Sequence, residues 1–337
     1  METDERTDAG EQARAEGEAP RMRVVFMGTP AFALGSLGAL LRADFVDVVA
    51  VVTRPDAVSG RGKALVPSPV KTMALEAGVP VIETKTLRDE DVQDRLRELA
   101  PDLIAVTAYG AIIPDEVRMI PPMGCVNVHA SLLPRWRGAA PMQRAILAGD
   151  PYVGFSIMRI GHELDAGPWV TQRCVATGER TYPEISAELS RMGGEELVDV
   201  LRAWWVDGEK PDWMVQDPER ATYADKIDKA ELRLDPGVDA LTNRRRVQAS
   251  SDEAPARCLF AGRGVRVMRA HLVTDEGDLP DVPAGAVRAA QGRLLLGCAD
   301  GVLEVLELKP DGKRAMDARE FVIGLQDHKG LTWEALA

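Results

Sequence analysis

Residues 23–30, which read RVVFMGTP, set the fold of this chain. The apolar run 23–27 predicts a buried strand, and residues 28–30 predict a turn. In that turn Thr29 can cap a following helix and Pro30 can take its first position. Beyond it, short apolar runs alternate with helical patterns. Such alternation is typical of an open, mostly parallel sheet with crossover helices, and we therefore predict an α/β, Rossmann-like fold.

Hydrophobic periodicity places the other elements of this region. The predicted strands are 46–53, 79–82, 103–107, 126–129, 153–159 and 169–176, and the predicted helices are 67–77, 89–99, 140–147 and 183–206. Towards the carboxyl end the pattern changes to short β segments between Gly turns, at 264–269, 284–288, 293–298 and 303–308. Short strands at near-regular spacing predict a small β-barrel of the oligonucleotide-binding (OB) type.

The length of 337 residues suggests about two domains of roughly 150 residues each. We expect an acidic, disordered tail over residues 1–21, because the first twenty residues hold seven acids against two Arg and no apolar stretch. An α/β domain over 22–206, a polar linker over 207–222 and a barrel domain over 223–337 would follow the tail.

Composition excludes several classes of protein. The chain is 45% hydrophobic and 28% charged, as in ordinary globular proteins, and no apolar run approaches the roughly 20 residues of a membrane span. A net charge of −12 argues against a uniformly basic surface, so a nucleic-acid partner would need a local basic patch. The cysteines (Cys125, Cys174, Cys258 and Cys298) form no C-x-x-C pair, which supports neither a zinc site nor a disulfide framework. We expect a cytoplasmic protein without a metal, with Cys125 in the core.

The candidate catalytic residues are Asn127 and His129 at a predicted strand end, with Asp165 in a later loop. Side chains two apart in a strand share a face, so the amide and the imidazole should project together. An amide can donate to a developing oxyanion, an imidazole can take a proton near neutral pH, and a carboxylate can orient the imidazole. Taken alone, such a His is more often structural. A following turn with Pro134, two Arg and a Trp favours the functional interpretation.

Three loops are expected to meet at one edge of the sheet: 28–30, 109–114 and 127–134. Each follows a predicted strand, and open α/β sheets bind ligands beyond the carboxyl ends of their strands. The first of these loops is not a G-x-G-x-x-G fingerprint, and no acidic residue ends the second strand. A dinucleotide-dependent dehydrogenase is therefore disfavoured.

The loop 54–71 is basic within an acidic protein. Its charged residues are Arg54, Arg61, Lys63 and Lys71 against Asp56. Gly60 and Gly62 flank Arg61 and leave its backbone permissive, which suits a loop that becomes ordered on a polyanion. From composition alone, a solvated loop without a ligand is an equal alternative.

Collinear segments of the chain resemble the methionyl-tRNA formyltransferase family. They are VVFMGTPAFA, SGRGKALVPSPVK, PDLIAVTAYGAIIP, GCVNVHASLLPRWRGAAPMQRAILAGD, LDAGP, ATYADKIDKAELRLD and LKPDGKRAMDAREF. They extend from Met22 to about Gly324. Shorter versions of the NVHASLLPRWRGAAP block occur across folate-dependent formyltransferases, whereas the full string is characteristic of this branch.

The resemblance implies an enzyme that moves the formyl group of 10-formyltetrahydrofolate to the α-amino group of methionine on initiator tRNA. It implies a formyltransferase sheet followed by an OB-like, tRNA-binding barrel. The family's catalytic residues match Asn127, His129 and Asp165. The segment that binds tetrahydrofolate matches Ser131, Leu132, Leu133 and Pro134. The apolar loop that lines the pterin pocket matches Tyr109, Gly110, Ile112 and Ile113.

The resemblance also implies the tRNA contacts. The basic loop matches the family's tRNA-inserting loop, with Arg61 approaching the acceptor end and Lys63 and Arg54 nearby. A weak end pair is cheap to open, so a wedge there can separate initiator from elongator tRNA. We expect a monomer that binds initiator methionyl-tRNA and tetrahydrofolate and does not associate with membranes.

This chain departs from the family pattern at two places. Glu163 stands where the family usually has Gly shortly before the catalytic Asp, and we expect the neighbouring His162 to be a bystander. In 247–255 the family's Arg and most of its prolines are lost, although Arg244, Arg245 and Arg246 can supply charge instead.

Two alternatives stay open at this point. One is a formyltransferase that acts on an amino sugar or another small amine, which would not need 59–63 or the barrel. The other is a tRNA- or folate-binding protein with an inactive site, which the three candidate catalytic residues disfavour.

Overall fold

A computed structural model describes residues 20–59, 64–274, 282–290, 292–325 and 330–336. Residues 1–19 of the tail that the sequence predicts over 1–21 lie outside the described residues. The strands are β1 Met22–Gly28, β2 Val46–Thr53, β3 Ala57–Ser59, β4 Ala64–Val66, β5 Val81–Glu83, β6 Leu103–Thr107, β7 Cys125–His129, β8 Arg137–Gly138, β9 Tyr152–Arg159, β10 Trp169–Ala176, β11 Tyr223–Ala224, β12 Arg257–Phe260, β13 Arg263–Leu272, β14 Val287–Ala290, β15 Arg293–Gly297, β16 Val302–Pro310, β17 Met316–Asp317 and β18 Trp333–Glu334. The α-helices are α1 Leu34–Arg42, α2 Pro69–Glu76, α3 Glu90–Glu98, α4 Asp115–Arg118, α5 Pro141–Ala148, α6 Tyr182–Trp205, α7 Ala240–Gln248 and α8 Ala318–Ile323.

The first sheet has the order β10-β9-β7-β6-β1-β2-β5. Strand β1 pairs in parallel with β2 and β6, β2 with β5, and β6 with β7, whereas β9 runs antiparallel to β7. The strand order reverses between β1 and β6, and this is the point at which open α/β sheets bind ligands. The mostly parallel sheet predicted from the sequence is confirmed.

Strands β1, β6 and β7 are almost wholly buried, which explains their continuous apolar sequences. In this first sheet, the strand bounds predicted from periodicity match the structure within about two residues, the usual uncertainty at element ends. The predicted cap at Thr29 is wrong. Pro30 precedes a short 3-10 helix, Ala31–Ala33, and the Thr29 hydroxyl instead donates to the Tyr109 carbonyl at 3.0 Å and accepts from the Arg54 N–H at 3.3 Å.

Helix α1, which follows this turn, crosses α6 at two glycines. A Cβ on Gly35 would lie 1.9 Å from the Ser190 carbonyl oxygen, and one on Gly194 would lie 2.2 Å from the Gly35 carbonyl oxygen. Backbone therefore meets backbone, and no larger residue fits without moving a helix. Ser190 reinforces the crossing by accepting from the Gly35 N–H at 3.2 Å and donating to the Phe32 carbonyl at 2.7 Å.

The second large sheet is antiparallel, in the order β14-β15-β16-β13-β12-β18, with β17 paired to β16. Its two edges approach each other, because Val287 N–H donates to Leu331 at 2.9 Å and Trp333 N–H donates to Gly285 at 2.9 Å. Trp333 is fully buried in the core that the sheet encloses. The expected small barrel is confirmed as a nearly closed antiparallel sheet.

The described chain divides into two compact units. The first comprises residues up to Arg137, Gly154–Cys174 and Ala187–Thr222, and the second comprises Gly138–Val153, Val175–Ser186 and the chain from Tyr223. The domain boundaries predicted from the sequence stay predictions. Over the described ranges, no helix combines the length and the apolar character needed to cross a membrane.

Candidate active site

Asn127 and His129 lie at the carboxyl end of β7. Both are buried, at 9% and 6% exposure, in a strand flanked by β6 and β9. Asn127 aligns with Val106 on one side and Met158 on the other, so strands on both sides fix its position. Polar side chains are rarely held at a buried strand end without a partner or a function. The expected pairing of amide and imidazole on alternate positions agrees with this strand geometry.

The loop that carries Asp165 brings its carboxylate to the imidazole. The Asp165 Oδ2 atom lies 3.7 Å from His129 Nδ1. Asp165 has a φ of +47°, a left-handed conformation that residues other than Gly rarely adopt. Gly167 follows in a place where a Cβ would lie 1.8 Å from the Arg159 carbonyl oxygen. The LDAGP sequence therefore places a carboxylate on a tightly folded loop beside His129.

The other ring nitrogen of His129 also faces an oxygen. His129 Nε2 lies 3.2 Å from the carbonyl oxygen of Trp136, a residue whose own φ is +59°. A doubly protonated imidazole can donate one N–H towards each oxygen, whereas a neutral ring has a single N–H. Each ring nitrogen of His129 thus lies near an oxygen, a carboxylate at Nδ1 and a carbonyl at Nε2.

The segment Ser131 to Pro134 is held by residues that were not predicted from the sequence. The Ser156 hydroxyl donates to the Ser131 carbonyl at 2.6 Å and accepts from the Leu133 N–H at 3.1 Å. The Gln172 amide donates to the Leu133 carbonyl and to Ser156, both at 2.8 Å. Ser131 itself donates to the Arg135 carbonyl at 2.7 Å, and the Leu133–Pro134 peptide bond is cis.

The four residues of this segment differ in exposure. Ser131 and Leu133 are buried, while Leu132 and Pro134 are half-buried. Ser156 and Gln172 lie on β9 and β10, and the only signal they carry in the sequence is a polar residue within an apolar strand. That signal does not say which backbone groups the side chain meets.

In the loop after β6, some side chains are buried in the core and others are exposed. Tyr109 is buried in the apolar cluster on one face of the sheet, Ile113 packs partly against that cluster, and Ile112 is 76% exposed. Gly110 has a φ of +82°, which allows the chain to turn between them. Burial raises the pKa of the Tyr109 hydroxyl, and the nearby Arg54 guanidinium only partly opposes that shift.

His162 and Glu163 lie on the surface beside the Asp165 loop. His162 is 83% exposed, and its Nδ1 atom lies 3.5 Å from Asp115 Oδ2. This contact joins the Asp165 loop to the first residue of α4. Glu163 is exposed, and its carbonyl accepts from the Ala166 N–H at 3.4 Å. His162 therefore contacts α4, whereas His129 contacts Asp165.

The basic loop after β2 begins in a short ribbon. Strands β3 and β4 pair antiparallel, and Arg61 and Lys63 between them lie outside the described residues. The positive charge of Lys71 is balanced by two carboxylates, because its Nζ atom lies 2.7 Å from Glu83 and 2.9 Å from Asp56. The hydrogen bonds that Lys71 donates to Glu83 and Asp56 raise its pKa. Arg54 donates to the Lys85 carbonyl. Lys71 therefore anchors the loop and leaves less free positive charge than the sequence count suggested.

Comparison with known proteins gives the family. The formyl transferase model matches residues 22–201, and the model of its carboxyl-terminal domain matches 226–326. A methionyl-tRNA formyltransferase from Methylococcus capsulatus is 43% identical over 305 residues, covering 89% of this chain and 96% of the relative. The chain belongs to the methionyl-tRNA formyltransferase family. Another family member, from Stenotrophomonas maltophilia, is 42% identical and covers 91% of this chain and 98% of the relative.

A solved structure outside this family shares the fold. An N-formyltransferase from Helicobacter canadensis, in complex with folinic acid and dTDP-3-aminofucose, has a TM-score of 0.63 at 16% identity. The match covers 84% of this chain and 98% of that one. Within the part of the chain that the structure describes, no group of three or more His, Cys, Asp or Glu is arranged to hold a metal ion.

The two hydrogen bonds of Ser156 to the backbone of Ser131 and Leu133, called the Ser156 clamp below, give a testable prediction. Ser156→Ala leaves the Leu133 N–H and the Ser131 carbonyl without their buried partner, a loss of about 1–3 kcal/mol. We expect the KM for the folate donor to rise about tenfold, with a smaller fall in kcat, because a loosened segment mainly weakens binding. Steady-state kinetics with varied donor measures this change.

Ser190→Ala is the matched control, because Ser190 makes the same kind of paired backbone contacts between α1 and α6. It should lower the melting temperature without raising the KM for the donor. An unchanged KM in a folded Ser156→Ala protein would show that the clamp has no part in donor binding.

Proposed function

We propose that this chain transfers the formyl group of 10-formyltetrahydrofolate to the α-amino group of methionine on initiator tRNA, giving formyl-methionyl-tRNA for translation initiation. One observation carries the proposal. His129 and Asp165 lie 3.7 Å apart at the carboxyl end of the strand that also carries Asn127, one strand away from the reversal in strand order. They do so in a chain that matches methionyl-tRNA formyltransferases along most of its length.

The residues beside this strand end fit a folate. A pterin is flat, with polar edges, and is bound by apolar walls together with fixed backbone groups. Ile112 and Leu164 expose apolar side chains at 76% and 65%, one on the loop after β6 and one beside Asp165. Ser131 to Pro134 present backbone groups held by Ser156 and Gln172. These apolar side chains and fixed backbone groups would hold the donor.

Each catalytic side chain has a proposed task. Bound 10-formyltetrahydrofolate supplies the formyl carbon and leaves as tetrahydrofolate once its nitrogen is protonated. Asn127 donates a hydrogen bond to the oxygen that becomes negative as the amine attacks that carbon. His129, which lies between Asp165 and the Trp136 carbonyl, assists removal of the proton from the amine or stabilises the same charge. Asp165 holds the imidazole and takes part in moving the proton from the attacking amine to the departing nitrogen.

Arg61 is proposed to contact the acceptor end of the tRNA. In the sequence it lies between two glycines, in the segment that joins β3 to β4, and Lys71 holds the start of this loop through Asp56. Arg61→Ala should lower kcat/KM for initiator methionyl-tRNA about tenfold, because it removes one contact of about 1–3 kcal/mol. The KM for the folate donor should stay unchanged. Kinetics with each substrate varied separately measures both values.

Arg88→Ala, which removes an exposed Arg that is not part of the basic loop 54–71, is the control for loss of one positive charge. Its kcat/KM should stay close to wild type. Arg61→Ala activity equal to wild type on initiator tRNA would contradict the assignment of this residue.

The choice of acceptor separates the proposed function from the amino-sugar alternative. Purified protein with 10-formyltetrahydrofolate is offered initiator methionyl-tRNA, elongator methionyl-tRNA or a dTDP-amino sugar. We expect formylation of the initiator tRNA at a rate well above that of the elongator, and none of the sugar. Formylation of the sugar alone would favour the alternative. The cytoplasmic location, the monomeric state and the tRNA-binding role of the barrel stay predictions.

A further inference from the structure

We propose that Gln216 and Arg137 are positioning residues that hold the Asp165 loop against His129 during formyl transfer. The inference rests on the function proposed above. A closed ring of contacts carries it. His129 touches Asp165 with one ring nitrogen and the Trp136 carbonyl with the other. Gln216 joins the backbone of Asp165 to the side chain of Arg137, the residue that follows Trp136.

Gln216 uses its whole amide group in this ring. Its Nε2 atom donates to the Asp165 carbonyl at 2.8 Å and to the Gly167 carbonyl at 2.6 Å. Its Oε1 atom accepts from Arg137 Nε at 3.0 Å and from Nη2 at 2.8 Å. These contacts use both N–H groups of the amide and both lone pairs of its oxygen. The side chain therefore bridges the Asp165 loop and Arg137, and these contacts use all of its hydrogen-bonding groups.

The orientation of the amide follows from its surroundings. A flipped amide would turn its oxygen towards two carbonyl oxygens and its NH2 group towards a guanidinium, so all four contacts would become repulsive. Arg137 fixes which end of Gln216 faces the Asp165 loop. Both residues are 5% exposed, which strengthens these contacts because little water competes for them.

The loop that Gln216 holds needs external support. Asp165 has the rare left-handed backbone conformation, which persists in proteins only where surrounding contacts enforce it. Just before Gln216, Met214 pairs with Trp169 through backbone hydrogen bonds of 2.8 and 3.0 Å. The segment that contains Met214 and Gln216 thus runs beside the exit of the Asp165 loop and fixes its path.

The imidazole is consequently positioned from both sides by one network. On one side the Arg137 backbone is fixed by its N–H, which donates to the Thr222 carbonyl at 2.8 Å, and the adjacent Trp136 N–H donates to the Thr222 hydroxyl at 2.9 Å. On the other side Gln216 holds the backbone of Asp165. Residues 214–222, which composition predicts as part of a linker, therefore complete the catalytic geometry.

Gln216→Glu tests the inference with almost no change of shape. The new carboxylate still accepts from Arg137, but it places an oxygen against the carbonyls of Asp165 and Gly167. We expect kcat at saturating substrates to fall at least about tenfold, since displacements of about 1 Å at a catalytic group can cost about 100-fold. The KM for the folate donor and the affinity for tetrahydrofolate should stay within about twofold of wild type, because the donor segment is held by other residues.

Gln248→Glu is the matched control. Gln248 is buried and donates its amide to the carbonyls of Gly178 and Arg180, at 2.8 and 3.2 Å, in the other unit. It should lose a similar amount of thermal stability and keep the wild-type kcat. Wild-type kcat in a folded Gln216→Glu protein would overturn the inference.

Arg137→Lys keeps the test valid if Gln216→Glu does not fold. Lysine retains the charge but not the paired donors to Gln216, so kcat should fall about threefold to tenfold with tetrahydrofolate affinity unchanged. Wild-type kcat in that variant would likewise overturn the inference. Absence of any formyl-methionyl-tRNA from the wild-type protein would instead contradict the proposed function, so the two failures are distinguishable.

Discussion

Replacement of His129 by Ala is expected to lower kcat by about 100- to 10,000-fold, the range typical of a group that moves protons or stabilises charge in the transition state. Both nitrogens of this imidazole face oxygens, Asp165 Oδ2 at 3.7 Å and the Trp136 carbonyl at 3.2 Å. Alanine removes the ring that lies between these two oxygens. Rapid-quench measurement of formyl transfer at saturating substrates gives the rate of the chemical step.

The effect on stability should be much smaller. Loss of the hydrogen bond between His129 and the Trp136 carbonyl should lower the free energy of unfolding by about 0.5–1.5 kcal/mol. A 1,000-fold loss of rate corresponds to about 4 kcal/mol of activation free energy. His162→Ala is the control, because His162 is 83% exposed on the adjacent loop and contacts Asp115 instead. It should keep kcat within about twofold of wild type. A His129→Ala protein with nearly full activity would show that this His is structural.

Replacement of Asn127 by Ala is expected to lower kcat by about 100- to 1,000-fold, the range typical of losing a single oxyanion donor. Asn127 is 9% exposed, and strands on both sides hold its backbone in place. The KM values should change little, because the interaction is made mainly in the transition state. Single-turnover transfer separates this effect from product release.

Two further variants test whether loss of the Asn127 N–H donor accounts for the fall in kcat. Asn127→Asp keeps the shape but offers oxygen in place of the N–H donor, so it should be at least as inactive as Asn127→Ala. Asn243→Ala removes another buried amide, one that bonds to the Asp235 backbone in the other unit. It should lower stability and leave kcat unchanged. Full activity in Asn127→Asp would exclude the oxyanion role.

Much of the fold could be predicted because the relevant signals are local. Residues 46–53, 103–107 and 169–176 were assigned by periodicity to strands with the same bounds as β2, β6 and β10. Thr29 shows where this reasoning fails. Its sequence position fits a helix cap, but the hydroxyl bonds to Tyr109 and Arg54, which are distant in sequence and adjacent only after the sheet has formed.

The candidate site residues can be named from the sequence, whereas the contacts that support them cannot. Asn127 and His129 share a strand, so their spacing carries information, and Asp165 is a candidate from a later loop that the family resemblance also points to. Ser156 and Gln216 act through backbone atoms of other loops, and such contacts leave no spacing pattern in the sequence. The Lys71 ion pairs illustrate the same limit, because Glu83 neutralises this Lys from another strand.

The most direct test of the central claim is a single-turnover reaction with the protein in excess over 10-formyltetrahydrofolate and with initiator methionyl-tRNA present. The quenched products are assayed for formyl-methionine on the tRNA and for tetrahydrofolate. We predict that the two products form in equal amounts and at the same rate, as the donor is consumed. Donor consumption without formylated methionine, or no consumption at all, would contradict the account.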